Sequence, residues 1–422
     1  MQKLLFLLLC LAPFFLTAQS IDSVALRQVD SLIQVSRILT AKQEFDKALE
    51  VSAAAENLAL EKLGRESAAY GSCCFNRGRV NKLKGDNPEA EKWYNESKYI
   101  REKALGREHL DYASTLNNLG VLYMDMGNYG KAELLLLETK DIRIKILGKE
   151  HPNYAASLHN LALLYKVMRQ NEKAEPLYLE VKAIREKALG REHPDYAASL
   201  GSLANLYRSM GQYEKAEPFY LESIAIRGKV LGREHPDYAH SLNNLAVLYW
   251  DMGQYEKSEP LYLESLAIKE KAVGREHPDY ASILNNLADL YRFMGQYEKV
   301  EPIYHECIAI QRKALGREHP DYAEGLNGLA NLYHEMGQYE KAEPLYLEAQ
   351  AILEKSLGRE HPKYATNLNN LAVLYKGMGQ YEKAEALYLE AKAILEKAFG
   401  REHPEYAIGL SNLAGLYRIM GQ

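Results

Sequence analysis

The sequence predicts an all-α solenoid built from stacked antiparallel helix hairpins, and three observations indicate this fold class. A string resembling Leu-Gly-Arg-Glu-His-Pro recurs at a constant interval of 42 residues, without insertion or deletion. Each interval holds two segments whose apolar residues have helical spacing, and no alternating strand pattern is evident. A repeat of about 20 to 50 residues is typical of solenoids, in which each unit buries its apolar face against its neighbours. The glycine of the string is found at Gly106, Gly148, Gly190, Gly232, Gly274, Gly316, Gly358 and Gly400.

The N-terminal segment belongs to a different class of sequence. Lys3 is followed by an unbroken apolar stretch from Leu4 to Leu16 and then by the small residue Ala18. This order is typical of a secretory signal peptide, and the apolar stretch is too short to cross a bilayer core of about 30 Å. We therefore expect residues 1–18 to be a cleaved signal peptide. The mature chain would be exported to the periplasm or the cell exterior, without stable membrane insertion.

Beyond this leader, the repeat divides the chain into three parts. Residues 19–66 keep only a few repeat positions, such as Phe45 and Gly64, and are predicted to form a degenerate N-terminal capping repeat. Residues 67–402 hold eight repeats of 42 residues each. Residues 403–422 correspond to the first helix of a further, truncated repeat.

The truncated last repeat lacks the second helix that would cover its first helix. We expect the apolar residues of that first helix to be partly uncovered, and two explanations are open. The chain is a fragment of a longer protein, or something else covers this end, such as a second copy of the chain. The residues concerned are Tyr406, Leu410, Leu413 and Tyr417.

The repeat that begins at His235 illustrates the predicted hairpin. Pro236 suits the first turn of a helix, and Gly253 supplies the left-handed turn that ends it. The second helix follows and ends at Gly274. Pro260 lies deep in this second helix, where it removes one backbone hydrogen bond, so we expect it to bend the helix or delay its start.

Composition excludes several classes of partner. The net charge is −5, so the charge balance implies neither nucleic-acid binding nor adhesion to a membrane. Cys73, Cys74 and Cys307 lie beyond the leader, and an odd number of cysteines argues against a disulfide framework. We interpret Cys307 as a buried small side chain.

No catalytic, cofactor or metal site is predicted. One histidine recurs in each repeat, but helices pack about 8–10 Å apart, whereas zinc ligands must lie about 2.0–2.3 Å from a shared ion. These histidines are therefore interpreted as parts of the loop structure. No glycine-rich phosphate loop and no serine or cysteine nucleophile in a known setting is present, so the chain is not expected to be an enzyme.

Three segments carry a resemblance to a known family. The segments Leu242–Tyr249, Gly253–Tyr262 and Ala267–Gly274 resemble the tetratricopeptide repeat, in the 42-residue form of kinesin light chain and many bacterial proteins. The resemblance implies a right-handed superhelix whose first helices line a concave groove for peptide or protein ligands. The motor function of kinesin is not implied, because the chain has a leader and no extended heptad segment.

The resemblance assigns one groove position to a recurring asparagine. An asparagine side chain can both donate to and accept from a peptide backbone, which suits capture of an extended ligand. The alternative interpretation is that these side chains bond within the helix stack. The residues are Asn117, Asn243, Asn285, Asn327 and Asn369.

A second groove position is mostly basic. We name this set the basic stripe and interpret it as a surface for acidic or carboxylate-terminated peptides, with Trp250 and Phe293 as apolar anchors. The alternative is that exposed helix ends simply carry cations that suit the helix dipole. The position is occupied by Met124, Lys166, Arg208, Trp250, Arg292, His334, Lys376 and Arg418, of which the residues from Lys166 to Lys376 are the predicted ligand contacts.

A third position lies between these two and changes character from repeat to repeat. Such variation would allow the groove to read a ligand sequence. The residues are Val121, Leu163, Asn205, Val247, Asp289, Asn331, Val373 and Gly415.

Together these features predict an exported protein–protein interaction scaffold that binds peptide or protein ligands in its concave groove. One alternative is the sensor array of a larger protein whose C-terminal effector domain, for example a caspase-like protease, is absent from this chain. A purely structural spacer is the other.

Overall fold

A computed structural model describes residues 23–421, so the predicted signal peptide lies outside the described residues. The described chain forms helices joined by short loops and contains no strand, which confirms the all-α prediction. Within this range, no helix combines the length and the apolar character needed to cross a membrane.

The chain divides into two units, Met1–Leu122 and Tyr123–Gln422. The described helices that begin in the first unit are α1 (residues 23–41), α2 (Phe45–Leu63), α3 (Ala68–Lys84), α4 (Asn87–Leu105) and α5 (Leu110–Asp125). Those of the second unit are α6 (Tyr129–Leu147), α7 (Pro152–Val167), α8 (Asn171–Leu189), α9 (Pro194–Ser209), α10 (Tyr213–Val230), α11 (Pro236–Asp251), α12 (Tyr255–Val273), α13 (Pro278–Phe293), α14 (Tyr297–Leu315), α15 (Pro320–Glu335), α16 (Tyr339–Leu357), α17 (Pro362–Gly377), α18 (Tyr381–Phe399) and α19 (Pro404–Met420).

Helices of the second unit pack as hairpins. From α7 to α18, each odd-numbered helix contacts the even-numbered helix that follows it, and each hairpin contacts the next. The predicted solenoid of stacked antiparallel hairpins is therefore confirmed.

The recurring histidine caps the first helix of each repeat from residue 109 onward, whereas Ser67 caps α3. Its Nδ1 atom accepts a hydrogen bond from the backbone N–H two residues further on, at 3.0–3.2 Å. This bond satisfies one of the amides that the start of a helix leaves without an intrahelical partner. The caps are His109, His151, His193, His235, His277, His319, His361 and His403.

The prolines inside second helices do not delay the start of those helices, which was one of the two effects expected. Helix α8 contains Pro176 and begins at Asn171, in the same register as α18, which has no proline and begins at Tyr381. The first four amides of a helix lack intrahelical partners in any case. A proline at the sixth position removes only the one further hydrogen bond that its own N–H would have formed.

Hydrogen bonds connect consecutive repeats. From α7 to α19, a tyrosine near the end of each first helix donates to a glutamate in the second helix of the preceding repeat, as Tyr207 does to Glu175 at 2.7 Å. The pairs are Tyr165–Glu133, Tyr207–Glu175, Tyr249–Glu217, Tyr291–Glu259, Tyr333–Glu301, Tyr375–Glu343 and Tyr417–Glu385.

Helix α19 is less uncovered than the sequence suggested. Tyr406 and Leu413 are buried, each with an exposed fraction of 6%, because α19 packs against α18. Leu410 is exposed and Tyr417 is half-buried. The prediction was therefore wrong for two of the four side chains.

Within the second unit, parts of the chain six repeats apart come into contact. His361 Nε2 lies 2.9 Å from the carbonyl oxygen of Asp125. The rings of Tyr129 and Phe399 stack with centroids 5.4 Å apart, and Phe399 stacks on His403 at 4.0 Å. Successive turns of this superhelix therefore touch.

Candidate peptide-binding groove

The predicted asparagines lie on the first helices, all of them half-buried except the buried Asn369. Asn243 Oδ1 accepts a hydrogen bond from Asn286 Nδ2 at 3.0 Å, and Asn327 Oδ1 accepts one from Asn367 Nδ2 at 2.7 Å. At these two positions the side chain bonds within the helix stack, as the alternative interpretation stated.

Three asparagines differ from that pair. In Asn285 and Asn369 the Oδ1 atom is buried without a hydrogen-bond partner. A ligand would therefore have to displace neighbouring side chains to reach these oxygens. Asn117 lies on α5, within the first unit, and already takes part in an interaction of its own. The predicted asparagine ladder is thus not uniform.

Two arginines of the basic stripe are paired within the protein. Arg208 Nη1 lies 3.3 Å from Asp251 Oδ2 in the next first helix. Arg292 pairs with Glu335 in the corresponding way, and its Nη2 also lies 3.2 Å from Asp289 Oδ1. Much of the positive charge predicted for the stripe is neutralised by these carboxylates.

The two lysines of the stripe lack such partners. Within the described residues, neither Lys166 nor Lys376 forms an ion pair or a side-chain hydrogen bond, and both are half-buried. Burial, assisted by the charges of Arg208 and Arg169, lowers the pKa of Lys166 to about 8. Uncompensated positive charge is therefore concentrated at the lysines.

Aromatic side chains occupy the stripe between the paired arginines. Trp250 packs edge-on against Phe293, with ring centroids 5.3 Å apart and an angle of 66° between the planes. Phe293 is 59% exposed, and the guanidinium of Arg292 lies 5.1 Å from its ring centroid. Further along, His334 lies beside the ring of Tyr339, and burial lowers the pKa of its imidazole. Trp250 and Phe293 form an accessible aromatic surface.

The third, variable position has a role that the sequence analysis missed. Where it is polar, it accepts a hydrogen bond from a buried tyrosine of the second helix. These bonds join Tyr220 to Asn205 and Tyr304 to Asp289, both at 2.7 Å, and Tyr346 to Asn331 at 2.5 Å. Since a tyrosine stands at this place in every repeat from 151–190 to 361–400 whatever faces it, the sequence carries no signal of the pairing.

No reactive centre accompanies the groove within the described residues. His, Cys, Asp and Glu side chains form no group of three or more that could hold a metal ion there. The three cysteines are buried, and burial raises the pKa of each thiol to about 12. Cys307 donates to the carbonyl of Ala281 at 3.3 Å, as Ser265 does to Ala239 at 2.8 Å, which agrees with its interpretation as a small buried side chain.

A solenoid of helix hairpins with variable side chains on its first helices defines the class of helical repeat proteins. The model of the tetratricopeptide repeat family matches most of the chain, and the chain belongs to this family. The matched stretches are 75–145, 111–184, 159–229, 203–271, 237–313, 279–355, 323–397 and 364–422. No curated protein matches the chain.

Solved structures agree with this assignment. A kinesin light chain-like protein of Podosopora anserina with nearly identical TPR-like repeats is 33% identical over 49% of this chain and 97% of its own, with a TM-score of 0.41. The match of the family model confirms the predicted resemblance to the tetratricopeptide repeat.

Two ligand-bound structures share the fold at low identity. A Rap protein complexed with competence and sporulation factor is 15% identical over 88% of this chain and 99% of its own, with a TM-score of 0.57. The Rap conjugation gene regulator of plasmid pLS20, bound to the Phr* peptide, is 15% identical over 89% and 98%, with a TM-score of 0.54. Tetratricopeptide arrays of this kind are typical of protein–protein interaction scaffolds and are generally non-catalytic.

Proposed function

We propose that this chain is an exported, non-catalytic scaffold that binds a peptide or protein segment along the first helices of its second unit. The accessible aromatic surface of Trp250 and Phe293 carries this proposal. Aromatic residues in a partly polar surface are the usual anchors of protein interfaces, and the guanidinium of Arg292 packs beside the Phe293 ring.

The class of ligand follows from the fold and from the charge of the groove. One Rap structure holds the Phr* peptide and another holds competence and sporulation factor, and this chain shares their fold. Lys166 and Lys376 offer positive charge that no carboxylate of the described chain neutralises, which favours acidic segments in the ligand. The paired arginines fix the geometry of the groove rather than its net charge.

Affinity capture with the mature chain tests the groove. A partner from the exported proteome should bind the wild-type chain and be lost from the double variant W250A/F293A, with both proteins verified as folded by circular dichroism. Leu134→Ala is the matched control, because Leu134 is 71% exposed on the second helix α6. Capture that survives in W250A/F293A would exclude this aromatic surface as the binding site.

Export is tested separately. The proposal rests on the sequence of residues 1–18, with its single lysine and continuous apolar stretch. The intact mass of the protein recovered from the exported fraction should correspond to cleavage at or near Ala18. Leu7→Arg should keep the protein in the cytoplasm, and secretion of that variant at the wild-type level would contradict the assignment.

Self-association is proposed through α19. Ile408, Leu410 and Ile419 are exposed on this helix, with exposed fractions of 52%, 39% and 52%. Light scattering of the purified chain should show a dimer that the triple substitution of these residues by serine dissociates. A wild-type monomer at high concentration would refute this contact.

A further inference from the structure

A cavity of about 350 Å³ lies where two turns of the second unit meet. The C-terminal ends of α7 and α9 line one side, and the starts of α17 and α19 line the other, together with the end of α18. We call it the inter-turn cavity. Its cationic or ionisable basic side chains are Lys166, Arg169, Arg208, Lys363 and His403.

The charge of this cavity is not balanced from within. Glu405 is the one carboxylate in its lining. Arg208 is paired with Asp251 and Lys363 with Glu324, but within the described residues Lys166 and Arg169 have no carboxylate in ion-pairing range. An anion placed between them would meet several cations and little opposing charge.

Arg169 is the most informative of these residues. It occupies the left-handed turn after the first helix, with φ of 57°, where the neighbouring repeats have Gly127 and Gly211 with φ of 71°. In the second unit it is the one described residue other than glycine with a positive φ. A side chain in this conformation is strained, and such strain is often retained where the side chain has a function.

The surroundings of Arg169 indicate what that function is. Its Nη1 donates to the carbonyl oxygen of Ser209 at 2.8 Å, which holds the guanidinium across the ends of α7 and α9. The positive charge of Arg169 acts on the imidazole of His403, from the opposite turn, and on Lys166. His403 Nε2 is buried beside the backbone of Val167 without a well-formed hydrogen bond.

We propose that the inter-turn cavity binds an oxyanion. Lys166 and Arg169 of one turn bind the anion, and His403 of the next turn lines the same cavity. The oxyanion is supplied either by a free polyvalent anion or by a carboxylate of an acidic peptide. Binding would connect elements six repeats apart, and so would tie the two turns together. Trp250 and Phe293 do not line this cavity, whereas Lys166 belongs both to it and to the basic stripe, so this part of the inference rests on the proposed function.

Titration calorimetry with inorganic phosphate, citrate and a capped penta-glutamate peptide tests this site. The decisive variant is Arg169→Gly, which restores the residue of the neighbouring repeats and removes the strain, so that it should melt at or above the wild-type temperature. It should bind at least tenfold more weakly. Arg317→Ala, which removes an exposed arginine elsewhere, should bind like the wild type.

Each outcome bears on the proposal. Binding of phosphate or citrate that Arg169→Gly weakens supports a free anion as the source, and binding of the peptide alone supports a peptide carboxylate. No binding of any of the three probes, or equal affinity in wild type and Arg169→Gly, overturns the site. W250A/F293A should keep the wild-type affinity for whichever probe binds, so failure of the aromatic surface as a binding site and failure of the cavity site can be told apart.

Discussion

Tyr304 donates its hydroxyl hydrogen to Asp289 Oδ1 across 2.7 Å, whereas the equivalent Tyr262 has no hydrogen-bond partner for its buried hydroxyl. The difference arises because Val247 stands where Asp289 stands in the next repeat. Tyr388, which corresponds to Val373, is also left without a partner. A single side chain on the first helix therefore decides whether the buried tyrosine of its hairpin is satisfied.

Supplying the missing acceptor should stabilise the array. Val247→Asn reproduces the pair formed by Asn205 and Tyr220, and a hydrogen bond to an unsatisfied buried group contributes about 1 kcal/mol. The urea midpoint should rise. Val247→Leu provides the control, since leucine cannot accept a hydrogen bond, and a rise of equal size in that variant would attribute the effect to packing.

Acid should weaken the contact between turns. In neutral His361, Nδ1 accepts a hydrogen bond from the Lys363 amide and Nε2 donates one to the Asp125 carbonyl. Burial lowers the pKa of this imidazole from 6.5 to about 4. The unfolded chain therefore binds a proton more readily. The stabilisation is complete above about pH 6.5 and is lost as pH falls towards 4, by up to about 3 kcal/mol.

Comparison with His361→Asn isolates this effect. Asparagine also caps helices but does not titrate in this range. Unfolding midpoints measured between pH 7.5 and 4.5 should fall less steeply for the variant than for the wild type. Parallel profiles would mean that other histidines dominate the acid response.

The unpaired charge of Lys166 should destabilise the fold at neutral pH. Its pKa is about 8 in the folded chain and has an ordinary value of 10.5, so the unfolded chain holds the proton more tightly. Lys166→Met should raise stability at pH 7 by up to about 3 kcal/mol. The difference in stability between Lys166→Met and the wild type should shrink between pH 8 and 10.5, because the folded wild type loses the charge before the unfolded chain does. A difference that does not change with pH would exclude this explanation.

Cys307 should be replaceable by serine. The serine hydroxyl at the equivalent place, Ser265, already donates to a backbone carbonyl at 2.8 Å, and Cys307 makes the same bond through sulfur. Cys307→Ser should change the thermal midpoint little. Cys307→Val, which cannot donate a hydrogen bond, should lower the free energy of unfolding by about 1 kcal/mol. Serious destabilisation by serine would mean that the site requires an apolar atom.

The sequence predicts the hairpins because every unit repeats the same helical spacing and the same terminal glycine. It does not predict the contact of His361 with Asp125, because that contact depends on small rotations that accumulate over six repeats. The sequence likewise predicts the basic stripe but not the carboxylates that pair with its arginines. Asp251 and Glu335 were visible in the sequence, but only the stacking geometry brings them to Arg208 and Arg292.

The contact between turns has a consequence for the length of the array. Deleting one complete 42-residue unit between Asp125 and His361 would keep the 42-residue period on which the stacking of adjacent hairpins depends. It would nevertheless place the loop of a different repeat opposite the end of α5, where the loop at His361 lies now. The number of repeats therefore determines which residues meet between turns, and a change of one unit would replace these contacts with others.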